Sequence, residues 1–209
     1  MTSRHSFRYT QPPVSIVCAH VAQAIWNRHH IANVQICCDE DIGTEGRGGY
    51  FDQYGIIRDV MQNHLLQILA LVAMEQPLSF SAAHIRQEKV KVLQSVLPLR
   101  SGDLVVGQYE GYTDDPTITN KMTTTETYAC AVLRINNPRW AGVPFVIKAG
   151  KALNERKVEV RIRFNAVPGA VPSVSRCAPN ELVVRVQPDE TIYWKVGPHV
   201  YHAVSVVRN

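Results

Sequence analysis

The six residues Asp59-Val60-Met61-Gln62-Asn63-His64 bring a carboxylate, two amides and an imidazole into an otherwise apolar stretch. Histidine has an unperturbed pKa of about 6.5, so a half-buried histidine beside a pocket is a natural proton acceptor near neutral pH. The alternative is structural: a lone helix histidine is usually a satisfied core residue, and Asp59 suits the first turn of a helix, where the dipole favours an acid. The run therefore predicts either an acid–base site or a polar patch.

The segment that must position this run is helical. Between residues 52 and 74, apolar residues recur at three- and four-residue steps, which predicts a helix. In its second half nearly every side of the helix is apolar, so this half is expected to be buried. Residues 31–36 alternate like a short strand, and a second helix is expected over 81–97. The glycine-rich residues 43–49 lead from that strand into a loop, so they predict a structural turn and not a phosphate-binding loop.

The second half of the chain has the pattern of strands. β-rich runs separated by turn residues occupy 104–109, 123–135, 143–148, 158–164, 182–187 and 192–196. In the fourth run, apolar residues alternate with Glu159, Arg161 and Arg163, which predicts one dry face and one charged face open to solvent or ligand. Helices followed by uninterrupted strands indicate an α+β fold, with helices packed on one face of a large, mainly antiparallel sheet. No glycine-rich coenzyme (Rossmann) fold is predicted.

Composition narrows the classes of function. The formal net charge of +4 is modest and its basic residues are spread along the chain, which argues against a nucleic-acid partner but fits an anionic small ligand. No run approaches the ~20 apolar residues of a membrane span, and the first twenty residues make a poor signal peptide. The five cysteines show no metal-ligand spacing. We therefore expect reduced, mostly buried thiols in a cytoplasmic protein without a metal.

Four ordered runs point to a family: GTEGRGGY at 43–50, IRDVMQNH at 57–64, RWAGVPF at 139–145 and GKALNERK at 150–157. Together they resemble the C-terminal α+β domain of the glucose-6-phosphate dehydrogenase family, whose members open the pentose phosphate pathway. NELVVRVQP at 180–188 extends the resemblance, which covers about residues 26–195. The expected organisation is an unassigned segment at 1–25, a partial domain at 26–196 and an unassigned tail at 197–209.

The resemblance implies a role for each matching residue. His64 matches the base that takes the proton of the C1 hydroxyl of glucose 6-phosphate while hydride leaves C1 for NADP. Substrate contacts match five residues: Asp59, Glu40, Lys151, Arg156 and Gln187. For Glu40, which lies in Asp39-Glu40-Asp41, the alternative is a solvated acidic turn; for Lys151 and Arg156 it is plain surface charge.

A second set of residues is implied on the charged face of the sheet. Some members of the family bind a second, structural NADP there, since basic side chains and an aromatic ring suit a dinucleotide carrying a 2′-phosphate. The matching positions are Lys148, Lys157, Arg161, Arg185, Tyr193 and Lys195. Lys148 replaces an arginine that is common in those members.

The chain also departs from the family pattern. Neither the coenzyme domain nor the segment that supplies an aspartate to orient the histidine is found, and an unoriented base can lose about 10⁴ in rate. We therefore expect a fragment of an NADP-dependent dehydrogenase that is inactive alone. The alternative is a non-catalytic structural or dimerisation module, because the sheet forms the subunit contact of homo-oligomers in the family. A third interpretation, from Arg161, Arg163 and Arg185, is a generic anion-binding sheet.

Overall fold

Eight strands form one sheet in the computed structural model, which describes residues 24–166, 179–197 and 199–205. The strands are β1 Ile31–Asp39, β2 Leu104–Gly107, β3 Tyr128–Arg134, β4 Pro144–Gly150, β5 Lys157–Phe164, β6 Glu181–Gln187, β7 Thr191–Val196 and β8 His199–Ser205. Their order across the sheet is β2-β3-β4-β1-β5-β6-β7-β8. All neighbours are antiparallel except β1 and β4, which are parallel, so the expectation of a mainly antiparallel sheet is confirmed.

The helices pack on one face of this sheet, and their bounds are α1 Gly48–Phe51, a π-helix Ile57–Leu65, α2 Leu66–Ala73, α3 Ala82–Gln94 and a 3₁₀ turn Tyr112–Asp114. Every residue of α2 from Ile68 to Ala73 is buried, as the apolar run predicted. The side-chain oxygen of Ser81 caps α3 by accepting a hydrogen bond from the backbone N–H of His84 at 3.3 Å. The α+β class is therefore confirmed.

The carbonyl end of α2 is closed by two tryptophans. The indole of Trp26 donates to the Val72 carbonyl and that of Trp140 to the Ala73 carbonyl, each at 2.8 Å. Because the last carbonyls of a helix have no partner within it, these bonds satisfy groups that burial would otherwise leave unpaired. The RWAGVPF run thus has a structural role: its tryptophan holds the helix that follows His64.

The structure differs from the sequence-based expectations in three respects. The expected continuous helix over 52–74 is divided into a π-helix and α2, and β8 lies in a segment for which no element was expected. The charged face of β5 is not uniformly open, because Glu159 on that face has 0% exposure and lies between Arg161 and Arg185. Of the expected organisation, residues 1–23 lie outside the described residues.

Candidate active site

The π-helix sets the direction of the two acid–base side chains. Its hydrogen bonds join residues five apart, as in the bond from the N–H of Leu66 to the carbonyl of Met61. Residues five apart therefore lie on similar sides of the π-helix, whereas in an α-helix they would point about 140° apart. Asp59 and His64 are separated by five residues and are both half-buried. The π geometry brings them to one side of the element.

The burial pattern supports this alignment. Residues 58–60 are in turn exposed, half-buried and buried, and residues 63–65 repeat the same sequence of exposures. Val60 and Leu65 are the buried members, and they anchor the helix to the core. Near the imidazole, the Asn63 Nδ2 atom lies 3.5 Å from His64 Nε2. The acid and the imidazole thus share a partly open side of a firmly packed helix.

A second cluster lies where the parallel strands β1 and β4 end. Glu40 follows β1 and Lys151 follows β4, and their side chains form an ion pair. The Lys151 Nζ atom also lies 5.2 Å from the centre of the Phe51 ring. Since Phe51 of α1 is buried in the core between the helices and the sheet, the Glu40–Lys151 pair lies on the helix side of the sheet. Phe51, which the sequence analysis missed, therefore helps to fix the ammonium group.

Gln187 reaches the helix side of the sheet through an irregularity in β6. Arg185 lies opposite Glu159, but Gln187 lies opposite Val158, so Val186 is an extra residue in the ladder. Val158 belongs to the core beneath the helices, and residues directly opposite each other share a face. The bulge consequently separates Gln187 from the charged face to which strict alternation would assign it.

Arg156 stands apart from these groups. It is exposed in the turn that leads into β5, and it forms no hydrogen bond or ion pair with another described residue. The structure thus brings together Asp59 with His64 and Glu40 with Lys151, puts Gln187 on the same side of the sheet, and leaves Arg156 on the surface.

An aspartate from another part of the chain binds the glycine-rich turn that precedes the π-helix. The carboxylate of Asp115 accepts hydrogen bonds from the Thr44 hydroxyl at 2.6 Å and from the N–H groups of Gly46 and Gly48 at 2.9 and 3.3 Å. Backbone amides that could have faced a phosphate are therefore directed at a residue of the chain itself, in agreement with the expectation of a structural turn.

The six residues expected to hold a structural NADP lie on the opposite face of the sheet. Strand pairing sets Lys148 and Lys157 on either side of β1, with Arg161, Arg185, Tyr193 and Lys195 further along β5 to β7. The Arg185 guanidinium and the Lys195 ammonium lie 5.8 and 5.9 Å from the Tyr193 ring centre. The six positions therefore share one surface of the sheet.

The charges on that surface are largely balanced within the chain. Lys148 and Lys157 contact Asp39, Lys157 also contacts Glu155, and Arg161 and Arg185 contact Glu159. Asp39 and Glu159 are both buried, which the sequence analysis did not predict, although alternation along β5 does put Glu159 on the same face as the arginines. As they stand, these cations do not fit an added phosphate group.

Cys37, Cys38 and Cys130 are free thiols. Burial, with Asp39 and Glu159 adding to it, raises the pKa of the Cys37 thiol to about 11, and burial together with Glu40 raises the pKa of Cys38 to about 12. Both are thus protonated at neutral pH and unreactive. Cys18 and Cys177 lie outside the described residues. Among the part of the chain that the structure describes, no cluster suited to a metal ion is found, and no helix is long and apolar enough to cross a membrane.

Comparison with known proteins identifies the family of this chain. Residues 18–206 match the family model described as "Glucose-6-phosphate dehydrogenase, C-terminal domain". The cytoplasmic glucose-6-phosphate 1-dehydrogenase 5 of Arabidopsis thaliana is 59% identical over 172 residues, which cover 82% of this chain and 33% of that enzyme. The chloroplastic glucose-6-phosphate 1-dehydrogenase 1 of the same plant is 56% identical over 195 residues, covering 86% and 34%. The chain thus spans about one third of the length of these curated relatives.

A solved structure shows the same fold. It is described as glucose-6-phosphate dehydrogenase in complex with its substrate glucose-6-phosphate, and it superposes with a TM-score of 0.81 at 40% sequence identity. The match covers 94% of this chain and 44% of the other. The chain belongs to the glucose-6-phosphate dehydrogenase family and corresponds to its C-terminal domain.

Proposed function

We propose that this chain supplies the sugar-binding and proton-accepting part of a glucose-6-phosphate dehydrogenase, which oxidises glucose 6-phosphate to 6-phosphogluconolactone and reduces NADP. The observation that carries the proposal is the π-helix, which aligns Asp59 with His64 on one partly open side of the helix. π-Helical turns are rare and occur frequently at functional sites. A geometry of this kind is difficult to explain for a helix that only fills a core.

Each residue has a distinct part in the proposed reaction. The His64 imidazole accepts the proton of the C1 hydroxyl, the electron pair of that O–H bond forms the C1=O double bond, and the C–H bond at C1 breaks with its electron pair leaving as hydride for oxidised NADP. The Asp59 carboxylate accepts a hydrogen bond from a sugar hydroxyl and orients the ring against the imidazole. Lys151, held by Glu40 and the Phe51 ring, offers a positive charge to the anionic substrate, and Gln187 adds a polar contact from the same side of the sheet. Arg156, on the surface between β4 and β5, would reach the substrate only by extending its side chain from there.

NADP, when bound, supplies the hydride acceptor. The substrate assignment is supported by the solved relative that was captured with glucose-6-phosphate, and the acceptor by the resemblance of the site residues to the family. Similar relatives include cytoplasmic and chloroplastic enzymes, so a cytoplasmic location remains a prediction.

A chimera tests the proposal. The aligned segment of the Arabidopsis cytoplasmic enzyme is replaced by this chain, and NADPH formation is followed with glucose 6-phosphate as substrate. We expect an active chimera in which His64→Asn lowers kcat by about 10² to 10⁴, the usual contribution of general base catalysis, with little change in KM.

The matched control is His29→Asn, since His29 is exposed before the start of β1, at the opposite end of that strand from Glu40. This variant should keep the kcat of the chimera. An active chimera whose kcat is insensitive to His64→Asn would refute the assignment of His64 as the base.

A second candidate function, a structural or dimerisation module, is favoured by one observation. Strand β2 forms an edge of the sheet, and its residues Leu104, Val105 and Val106 are all exposed. An apolar edge strand is a template for pairing with another chain. This function does not compete with the first, because the edge and the His64 site use different residues.

A further inference from the structure

Asp39 is the last residue of β1 and lies on the face of the sheet opposite the helices, between a lysine of β4 and a lysine of β5. Its Oδ2 atom is 2.9 Å from Lys148 Nζ and 3.8 Å from Lys157 Nζ. The residue is only 3% exposed, and its Oδ1 atom has no hydrogen-bond partner among the described residues. A buried carboxylate with an unpaired oxygen is costly unless opposite charges compensate it, and the two ammonium groups do so here.

The neighbouring arginines are held in the same way. Glu159 is fully buried, with its Oε1 atom paired to Arg161 Nε and its Oε2 atom 3.3 Å from Arg185 Nε. Carboxylates thus occupy the space beside four of the five basic residues expected to hold NADP, where the oxygens of a bound phosphate would have to lie. The cleft between Lys148, Lys157 and Arg161 has a volume of only about 270 Å³, below the roughly 300–1,000 Å³ of typical ligand sites.

We propose that Asp39 is a specificity-determining residue that takes the place of a phosphate group between Lys148 and Lys157, so that this face of the sheet does not hold a second NADP. Asp39 is the decisive acid because its one carboxylate contacts both lysines, and it is the acid paired with Lys148. Glu159 holds the two arginines but leaves the lysine pair untouched. Because Asp39 and His64 lie on opposite faces of the sheet, this role of Asp39 is independent of whether His64 acts as a base.

Calorimetric titration of the 209-residue chain with NADP⁺ and with NAD⁺ tests the proposal, together with the NADP⁺-induced shift of the thermal midpoint. The wild-type chain should show no saturable NADP⁺ binding that depends on Lys148. Asp39→Asn keeps the shape of the side chain but removes the negative charge that holds Lys148 and one of the two carboxylates that contact Lys157. It should strengthen NADP⁺ binding about tenfold or more, the effect expected of new hydrogen bonds to a charged group.

Three controls separate this gain from other effects. NAD⁺, which lacks the 2′-phosphate, should not reproduce the gain. The double variant Asp39→Asn with Lys148→Ala should lose it. Glu155→Gln removes the exposed acid that also contacts Lys157. Because Asp39 still contacts both lysines in this variant, its affinity for NADP⁺ should stay that of the wild type.

Two results would overturn the proposal: wild-type binding of NADP⁺ that Lys148→Ala abolishes, or an Asp39→Asn variant that binds no better than the wild type. If Asp39→Asn does not fold, Asp39→Ser is the second variant. The wild-type titration compared with Lys148→Ala decides the question without either of them.

Discussion

Asp115 shows how much one side chain contributes to the candidate site without belonging to it. Its carboxylate accepts five hydrogen bonds, two from Thr117 and three from the segment that contains Thr44, Gly46 and Gly48. This segment leads directly into α1, which carries Phe51, and then into the π-helix. The position of His64 therefore depends on a carboxylate far from it in sequence.

The pH dependence of stability follows from these bonds. Hydrogen bonds, that from the Thr117 hydroxyl first and that from Thr44 next, hold the pKa of Asp115 well below its ordinary value. A group with a lowered folded pKa stabilises the fold fully above its unfolded pKa, about 3.9, and loses this contribution as the pH falls through the folded value. We expect Asp115→Asn to destabilise the chain at neutral pH, with a difference from wild type that shrinks below about pH 4.

Urea denaturation of both proteins across this pH range measures the effect. Asp114→Asn is the control, because Asp114 is exposed and its carboxylate forms no hydrogen bond with another described residue. A difference between wild type and Asp115→Asn that stays constant down to the lowest pH would show that the carboxylate charge is not what holds the turn.

At the scale of elements, periodicity predicted which segments are helices and strands but not two local irregularities. The apolar positions of residues 52–74 fit three- and four-residue steps, so nothing in them signals a π-helix with five-residue repeats. The sequence gives no sign of the bulge at Val186 either, since alternation alone puts Gln187 on the same face as Arg185. Both irregularities move candidate site residues to the same side of the sheet. The sequence motifs indicated the site, whereas its geometry required the structure.

The π-helix itself is open to experiment. Deleting Arg58, an exposed residue of the π-helix just before Asp59, removes the extra residue and favours an α-helical path, in which Asp59 and His64 stay five residues apart and point about 140° away from each other. A misplacement of about 1 Å can cost 10²-fold in rate, so we expect the deletion to lower kcat of the chimera by about 10² or more. Circular dichroism should report an unchanged mixture of helix and strand.

Arg58→Ala is the matched control, because it removes the same side chain but keeps the number of residues. It should retain the kcat of the unmodified chimera. If the deletion variant folds and remains fully active, the alignment of Asp59 with His64 is not needed for the reaction.

At the scale of the whole molecule, the two faces of the sheet carry different sets of polar residues. The helix side carries His64, Asp59 and the pair Glu40–Lys151, while the opposite face carries basic side chains balanced by Asp39 and Glu159. The expectation of a charged, open face was wrong in one respect, because alternation reports which face a residue is on and not how deeply its neighbours bury it. Long arginine and lysine side chains lie over the acids and exclude water from them.

The outer edge of the sheet gives the last prediction. The carbonyls of Asp103 and Gly107 accept hydrogen bonds from Val132 and Thr127 on the β3 side, so the alternation of an antiparallel ladder turns the backbone groups of Leu104 and Val106 outward. Val105 is 62% exposed and Val106 52%, and the strand has no lysine or proline to block pairing. We expect the chain to self-associate through this edge.

Analytical ultracentrifugation over a range of concentrations tests this expectation. The wild-type chain should increase in mean mass with concentration, and Val106→Lys should suppress the increase, because a charge at the centre of the edge opposes pairing with a second copy. Val90→Lys introduces the same charge at an exposed valine of α3, away from the sheet edge, and should associate like the wild type. Equal dissociation by both variants would attribute the effect to net charge, and a wild type that stays monomeric at all concentrations would rule out pairing through β2.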